Sequence, residues 1–328
     1  MKTKFQISTK VGQTCRSALK SGRCSSAALP RCRAFSLIEI LVAITLLSLI
    51  VLALMAVFNS TQTAFRASVT QTDVLEGGRA AMDMMTSDLR QMAPSQGYYS
   101  SSDFGSLNGF VYPIDPVNFY VNTNSNQPLI QPLVASPDNQ QRTNVLEDFF
   151  VLGRGNLNGH PAWIASGYAV YPASQTDLNP LYRFYMTTNV AAASPQTLFT
   201  NFFFAVLNGS ITNSSHLLDG VVDLRVHAYD TNGVWMTNGY AFGYTNTAKN
   251  ILYLPSALGE TGFYMFSNTL PASVEIQLGV LEDRTLQRAE TWPNGTLSQS
   301  NYLAQQAGKV HIFRQRVTIP NIDPSAYQ

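Results

Sequence analysis

Past residue 34 this chain contains no cysteine. All three, Cys15, Cys24 and Cys32, precede Phe35, so disulfides, thiolate catalysis and Cys-ligated zinc are excluded from everything downstream. Charge is scarce too. Only 12% of residues are Asp, Glu, Lys or Arg, and the polar surface therefore rests on Asn, Ser, Thr, Gln and Tyr, a balance that suits a secreted or envelope protein. The histidines His160, His216, His227 and His311 are scattered without metal-ligand spacing. There is no G-x-S-x-G, P-loop or H-E-x-x-H motif. Acid pairs stand at Glu147-Asp148 and Glu282-Asp283, but neighbours on a strand point to opposite faces, so neither reads as an acid/base couple. No catalytic residue, metal site or cofactor is expected.

What is present is unevenly placed. Residues 1–34 carry eight cations (Lys2, Lys4, Lys10, Arg16, Lys20, Arg23, Arg31, Arg33) and no acid. Without them 13 Lys+Arg face 20 Asp+Glu, a net charge of −7. An acidic body is a poor partner for phosphate backbones, and no nucleic acid is expected as a ligand. At 45% hydrophobic, a chain of 328 residues can bury a sizeable core.

Immediately after the basic segment comes FSLIEILVAITLLSLIVLALMAVF, Phe35 to Phe58. As a helix it is about 36 Å long at ~1.5 Å per residue, enough to span a bilayer. Cations before it, and none between Glu39 and Arg66, put the N-terminus in the cytoplasm and the bulk of the chain outside. The run exceeds the ~7–15 apolar residues of a cleaved secretory signal. An uncleaved anchor fits the length but gives no reason for Glu39, a carboxylate that costs a few kcal/mol in hydrocarbon unless it is partnered.

Cutting the chain before Phe35 supplies a partner, because Glu39 then lies at position five of a new N-terminus with a free α-amine. The pattern from Ala34 through Phe35, Ser36, Leu37, Ile38 and Glu39 to Ile40 resembles the type IV pilin and pseudopilin family. Its precursors carry a basic leader, a cleavage point before Phe, and Glu five residues into the mature chain. The family usually places Gly before the cut, and here Ala34 is small enough to enter a tight peptidase site. The resemblance implies that Ala34 and Phe35 form the processing site. It also implies that Phe35 and Glu39 serve assembly: Glu39 pairs with a neighbouring subunit's amine, neutralising both charges and setting the axial register of a filament.

The helical pattern continues beyond the apolar run through Phe65, Val69, Met82, Met85, Leu89 and Met92, a stripe expected to cap a folded domain. Pro94 ends it. Gly77-Gly78 predicts a bend or break. Residues 95–145 read as a loop-rich insertion with a few strands, in GFVYPI and VNFYV. Strands follow at DFFVL, WIASGYAVY, LYRFYM and NFFFAVL. In GVVDLRVHAYD, Val222, Leu224, Val226 and Ala228 share one face and Asp223, Arg225 and His227 the other. In LPASVEIQLGVL, Val274, Ile276, Leu278 and Val280 alternate with Ser273, Glu275 and Gln277. Asp230 to Gly233, DTNG, is a hairpin turn first and a calcium loop second, since it lacks the further carboxylates of such a loop.

Two of these segments extend the resemblance. Gly220 to Trp235 and Leu270 to Ile276 look like strands of the J-type minor pseudopilin of type II secretion systems, and HIFRQRVTIPN suits that family's last strand; cassette-encoded pilin-like proteins share the layout. The expected fold is α+β, a long N-terminal helix packed on an antiparallel sheet. It is organised as a leader (1–34), a transmembrane segment (35–58), an amphipathic continuation (59–93) and an exported β-rich domain (94–328). The resemblance implies a non-enzymatic minor subunit near the tip of a secretion pseudopilus. It would sit in the bacterial inner membrane, with a periplasmic or extracellular domain. Its partners would be prepilin peptidase, the membrane and other pilin-like subunits, met through the N-terminal helix. A minor type IV pilin and a membrane-anchored carbohydrate-active enzyme are the alternatives.

Overall fold

The structure, a computed structural model, describes residues 36–97, 104–107, 110–124, 130–132, 141–171, 178–190, 195–208, 213–237, 250–254, 259–293 and 296–327. The expected leader therefore lies outside the described residues. The chain divides into two compact units, Met1–Ser60 and Thr61–Gln328.

In the first unit the described residues form the opening part of helix α1 (Leu37–Arg90). Its side chains are apolar on all sides and exposed, from Leu37 at 82% to Val51 at 47%. The few hydroxyls in the run bond back to their own helix, Thr45 to the Val42 carbonyl and Ser48 to that of Ile44, both at 2.8 Å. Neither hydroxyl needs water as a partner, which suits a lipid-facing helix. This helix is long and apolar enough to cross a membrane.

The second unit is α+β. Its part of α1 buries Val74, Gly78, Ala81, Met85 and Leu89 at three- and four-residue steps, with Met82 beside them, so the Met-rich part of the stripe is a core face. Phe65 and Val69, expected to belong to it, are exposed because the buried face begins only at Val74. Gly77-Gly78 does not break the helix, which is continuous across the pair. Contact explains the glycines: a Cβ on Gly78 would stand 2.2 Å from the Phe313 ring, and one on Gly77 3.0 Å from Leu218. Past Arg90 the chain runs directly onto the sheet, with Ala93 N–H donating to the Leu152 carbonyl at 2.9 Å.

The strands are β1 (Phe104–Leu107), β2 (Phe110–Pro113), β3 (Val117–Asn124), β4 (Ile130–Pro132), β5 (Gln141–Thr143), β6 (Leu146–Leu157), β7 (His160–Val170), β8 (Leu181–Asn189), β9 (Ser214–Leu218), β10 (Val221–Tyr229), β11 (Ile251–Leu254), β12 (Gly262–Phe266), β13 (Ser273–Leu281) and β14 (Val310–Thr318). The helices after α1 are α2 (Gln196–Leu207), α3 (Asp283–Glu290) and α4 (Leu297–Gln305). The main sheet runs β11-β12-β3-β6-β10-β13-β14, with β7, β8 and β9 branching from β6. Every pairing in it is antiparallel except β6 with β10. Strand β3 lies between β12 and β6, so VNFYV belongs to the body of the sheet, although the sequence around it reads as an insertion.

Two departures from the sequence reading have clear causes. NFFFAVL is helical, within α2, because its apolar residues also satisfy the helical period. Leu198, Phe199, Phe202 and Ala205 form one buried face, and a short apolar run does not by itself distinguish strand from helix. Val222 does not share a face with Leu224, Val226 and Ala228. An irregularity between Val221 and Asp223 shifts the register, placing Val221 in the main core and Val222 with Leu281, Leu286 and Ala289.

The result is three layers. Phe119, Val121, Phe149 and Val151 pack toward α1. Tyr120, Phe150 and Leu152, the alternate residues of β3 and β6, pack toward α2, where Phe150 meets Phe199 edge-on at 5.3 Å. Burial on both faces makes β3 and β6 the centre of the unit.

Candidate assembly site and buried polar networks

Ser36 opens helix α1. The backbone N–H of Glu39 donates to the Ser36 carbonyl at 3.0 Å and to its hydroxyl at 3.3 Å. Ser36-x-x-Glu39 is thus a capping-box sequence, which satisfies one otherwise orphaned donor of the first turn. The carboxylate of Glu39 stands in that turn, where the positive end of the helix dipole favours it. The cap was legible as Ser followed three residues later by Glu, a signal the membrane-span reading of the same stretch passes over. Ala34 and Phe35, the expected processing residues, lie outside the described residues.

The acid pairs have structural work. Strand β6 forks: it meets β10 at Leu146–Leu224 and then leaves it for β7. Leu224 N–H donates to the Val145 carbonyl at 2.8 Å. At the next ladder position Val226 N–H donates instead to the Glu147 carboxylate, at 2.5 Å. Asp223 accepts the Val145 N–H at 2.9 Å, and Asp148 accepts the N–H of Val170 where β7 parts from β6. Side-chain oxygens here replace backbone acceptors that the divergence removes.

Burial has electrostatic consequences at this fork. It pushes the Glu147 carboxyl well up, against the opposing Val226 hydrogen bond. It raises Asp148 from 3.8 to about 7, again opposed by a backbone hydrogen bond. A carboxyl whose pKa is raised on folding contributes stability below its unfolded value and loses it as pH rises through the folded one. For Asp148 that window is pH 4 to 7, and its full span corresponds to about 4 kcal/mol. Detergent-solubilised protein is expected to unfold at lower urea at pH 8 than at pH 5.5. Asp148→Asn should remove a measurable part of that difference by raising the pH 8 midpoint, the raised Glu147 carboxyl accounting for the rest. An unchanged pH dependence in the variant would show that this carboxyl is not the source.

On the same face of β10, Glu260 accepts from Arg225 at 2.8 Å and contacts His227 at 2.9 Å. Burial pushes the Glu260 carboxyl up, but His227 and Arg225 together outweigh it and hold it below its ordinary range. His216 lies 2.7 Å from Asp219 and His311 3.3 Å from Glu282. Among the described residues no group of three His, Cys, Asp or Glu is arranged to hold a metal. DTNG is a turn: Asp230 Oδ1 accepts the N–H groups of Asn232 and Val234 at 2.9 and 2.7 Å, Gly233 has φ +76°, and a Tyr229–Trp235 bridge closes it.

A buried polar tie joins α1 to the sheet at Asp88, 7% exposed. Arg183 on β8 meets it with two hydrogen bonds of 2.9 Å, and the Tyr168 hydroxyl of β7 adds a third at 2.5 Å. Nothing in the local sequence announces this trio.

Residues 29–55 match the family described as the prokaryotic N-terminal methylation motif. No curated protein and no solved structure matches the chain. The motif is the signature of type IV pilins and pseudopilins, and together with the apolar helix it supports a membrane-anchored, type IV pilin-like chain. It implies processing by a prepilin peptidase and assembly with pilin-like subunits.

Proposed function

We propose that this membrane-anchored pilin-like protein is a minor, non-enzymatic subunit of a type II secretion pseudopilus, seated near its tip with other minor subunits. The observation that carries the reading is the methylation motif at residues 29–55 leading into an apolar helix with Glu39 in its first turn. The J-type assignment has further support. The segments that carry that resemblance form β10, β13 and β14, three consecutive neighbours in one antiparallel arm. The site is mechanical: Phe35 supplies an amine, Glu39 its counter-charge, and the β-rich unit a surface for sister subunits, in a periplasmic setting.

The test is mass spectrometry of protein extracted from membranes of cells with active prepilin peptidase, followed by identification of its cross-linked neighbours. The mature chain should begin at an N-methylated Phe35 and contain no cysteine, and the neighbours should be secretion pseudopilins. An intact Met1 terminus overturns the processing step. Neighbours drawn from an extended pilus would reassign the protein as a minor type IV pilin.

A further inference from the structure

Between α1, α3, α4 and the short segment that precedes β14 lies a cavity of about 230 Å³. One wall is Ala67 and Thr70 of α1, and the others include Arg284, Arg288, Tyr302 and Lys309. Arg284 and Arg288 are one turn apart on α3, a spacing at which like charges destabilise a helix. Among the described residues neither guanidinium is ion-paired; Arg288 lies over the Tyr302 ring at 5.7 Å. Lys309 adds a third cation, 48% exposed and 3.5 Å from Glu282. Glu282 is the acid of this cavity, and it is already shared between Lys309 and His311, which stands 3.3 Å away. Arg284, Arg288 and Lys309 thus face a single carboxylate across this concave space, a net positive site that suits an oxyanion, whose geometry matches the forked donors of the two guanidiniums.

We infer that this cavity binds a phosphate group, held by Arg284 and Arg288 with Lys309 at its rim. The group could be inorganic phosphate or the headgroup of an anionic lipid. Ala67 and Thr70 follow Phe58, the end of the apolar run, by only nine and twelve residues in sequence. That proximity is why the lipid source is tested beside the free one. Phosphate recognition here does not depend on cleavage at Phe35 or on entry into a filament, so its failure and that of the proposed function are separable.

The experiment uses the full chain in detergent. Inorganic phosphate is titrated against chloride at matched ionic strength, with two readouts: thermal unfolding, and phenylglyoxal modification of Arg284 and Arg288 read by mass spectrometry. At ten times the dissociation constant phosphate should raise Tm by about 3 °C and cut labelling of both arginines at least twofold. Arg284→Ala/Arg288→Ala, a change at exposed positions, should abolish the thermal shift. A parallel arm compares nanodiscs of phosphatidylglycerol with nanodiscs of phosphatidylcholine. Protection confined to phosphatidylglycerol assigns the site to a lipid headgroup, and protection by free phosphate assigns it to a soluble anion. Labelling unchanged by phosphate and by phosphatidylglycerol, or an equal thermal shift in the double variant, overturns the inference.

Discussion

Arg183→Ala is expected to destabilise the β-rich unit by about 3–5 kcal/mol, the cost of leaving a buried carboxylate without its cation. Asp88 is 7% exposed, and once Arg183 is gone its described partner is the Tyr168 hydroxyl, at 2.5 Å. The pair is not a surface ion pair, for which ~0–1 kcal/mol would be the measure, because the Arg183 side chain is itself only 18% exposed. The geometry also differs, since the two guanidinium bonds of 2.9 Å reach separate carboxylate oxygens. Adding Asp88→Ala to the variant should cost less than the sum of the single changes, since the second substitution removes the stranded charge. Urea unfolding followed by tryptophan fluorescence measures all three proteins. A loss within about 1 kcal/mol in Arg183→Ala would mean that apolar packing alone fastens the helix to the sheet. The point bears on the proposed function, because a subunit held in a filament by its helix transmits load to its β-rich unit through such ties.

What the sequence revealed follows from the range of the forces involved. The Met82, Met85 and Leu89 stripe repeats on a helical period and needs no knowledge of its partner, and the alternation of Val274, Ile276, Leu278 and Val280 likewise declares its buried face. Gly78 was misleading because its local cost is visible in sequence, while the Phe313 ring that occupies its missing Cβ comes from 235 positions later. NFFFAVL failed for a different reason: three consecutive Phe residues satisfy either period, and only the pocket formed by Tyr120, Phe150 and Phe184 selects the helix. Val222 depends on a register shift between two strands, which no property of its own neighbours encodes. The candidate site divides in the same way. Glu39 is legible because a charge in an apolar run is anomalous by itself, whereas Glu147, Asp148 and Asp88 gain their roles from a fork and a contact that exist only after folding.

Glu39→Ala is expected to leave membrane insertion intact and to reduce cross-linking of the processed protein to its sister subunits at least tenfold. A buried carboxylate without a partner is destabilising, whereas one paired with a neighbour's amine holds that neighbour at a fixed height. A tenfold loss requires only ~1.4 kcal/mol, well within the cost of stranding an amine in hydrocarbon. A local effect must be separated from this one. Glu39 also stands at the third position of a Ser36-x-x-Glu39 capping-box sequence, and losing a cap costs the helix about 0.5–2 kcal/mol without reference to any other subunit. Glu39→Gln separates the two, since Gln serves at that position of a capping box but cannot neutralise an amine. If inter-subunit pairing governs assembly, Gln should fail nearly as badly as Ala, and Glu39→Asp, which keeps the charge on a shorter arm, should be intermediate. If the cap governs it, Gln should behave as wild type and Ser36→Ala should reproduce the defect. Cleavage at Phe35, read by mass in the same membranes, controls for processing in every variant. Wild-type cross-linking by Glu39→Ala would show that this carboxylate does not set register, and the reason for its place in the apolar run would have to be sought in the first turn of the helix alone.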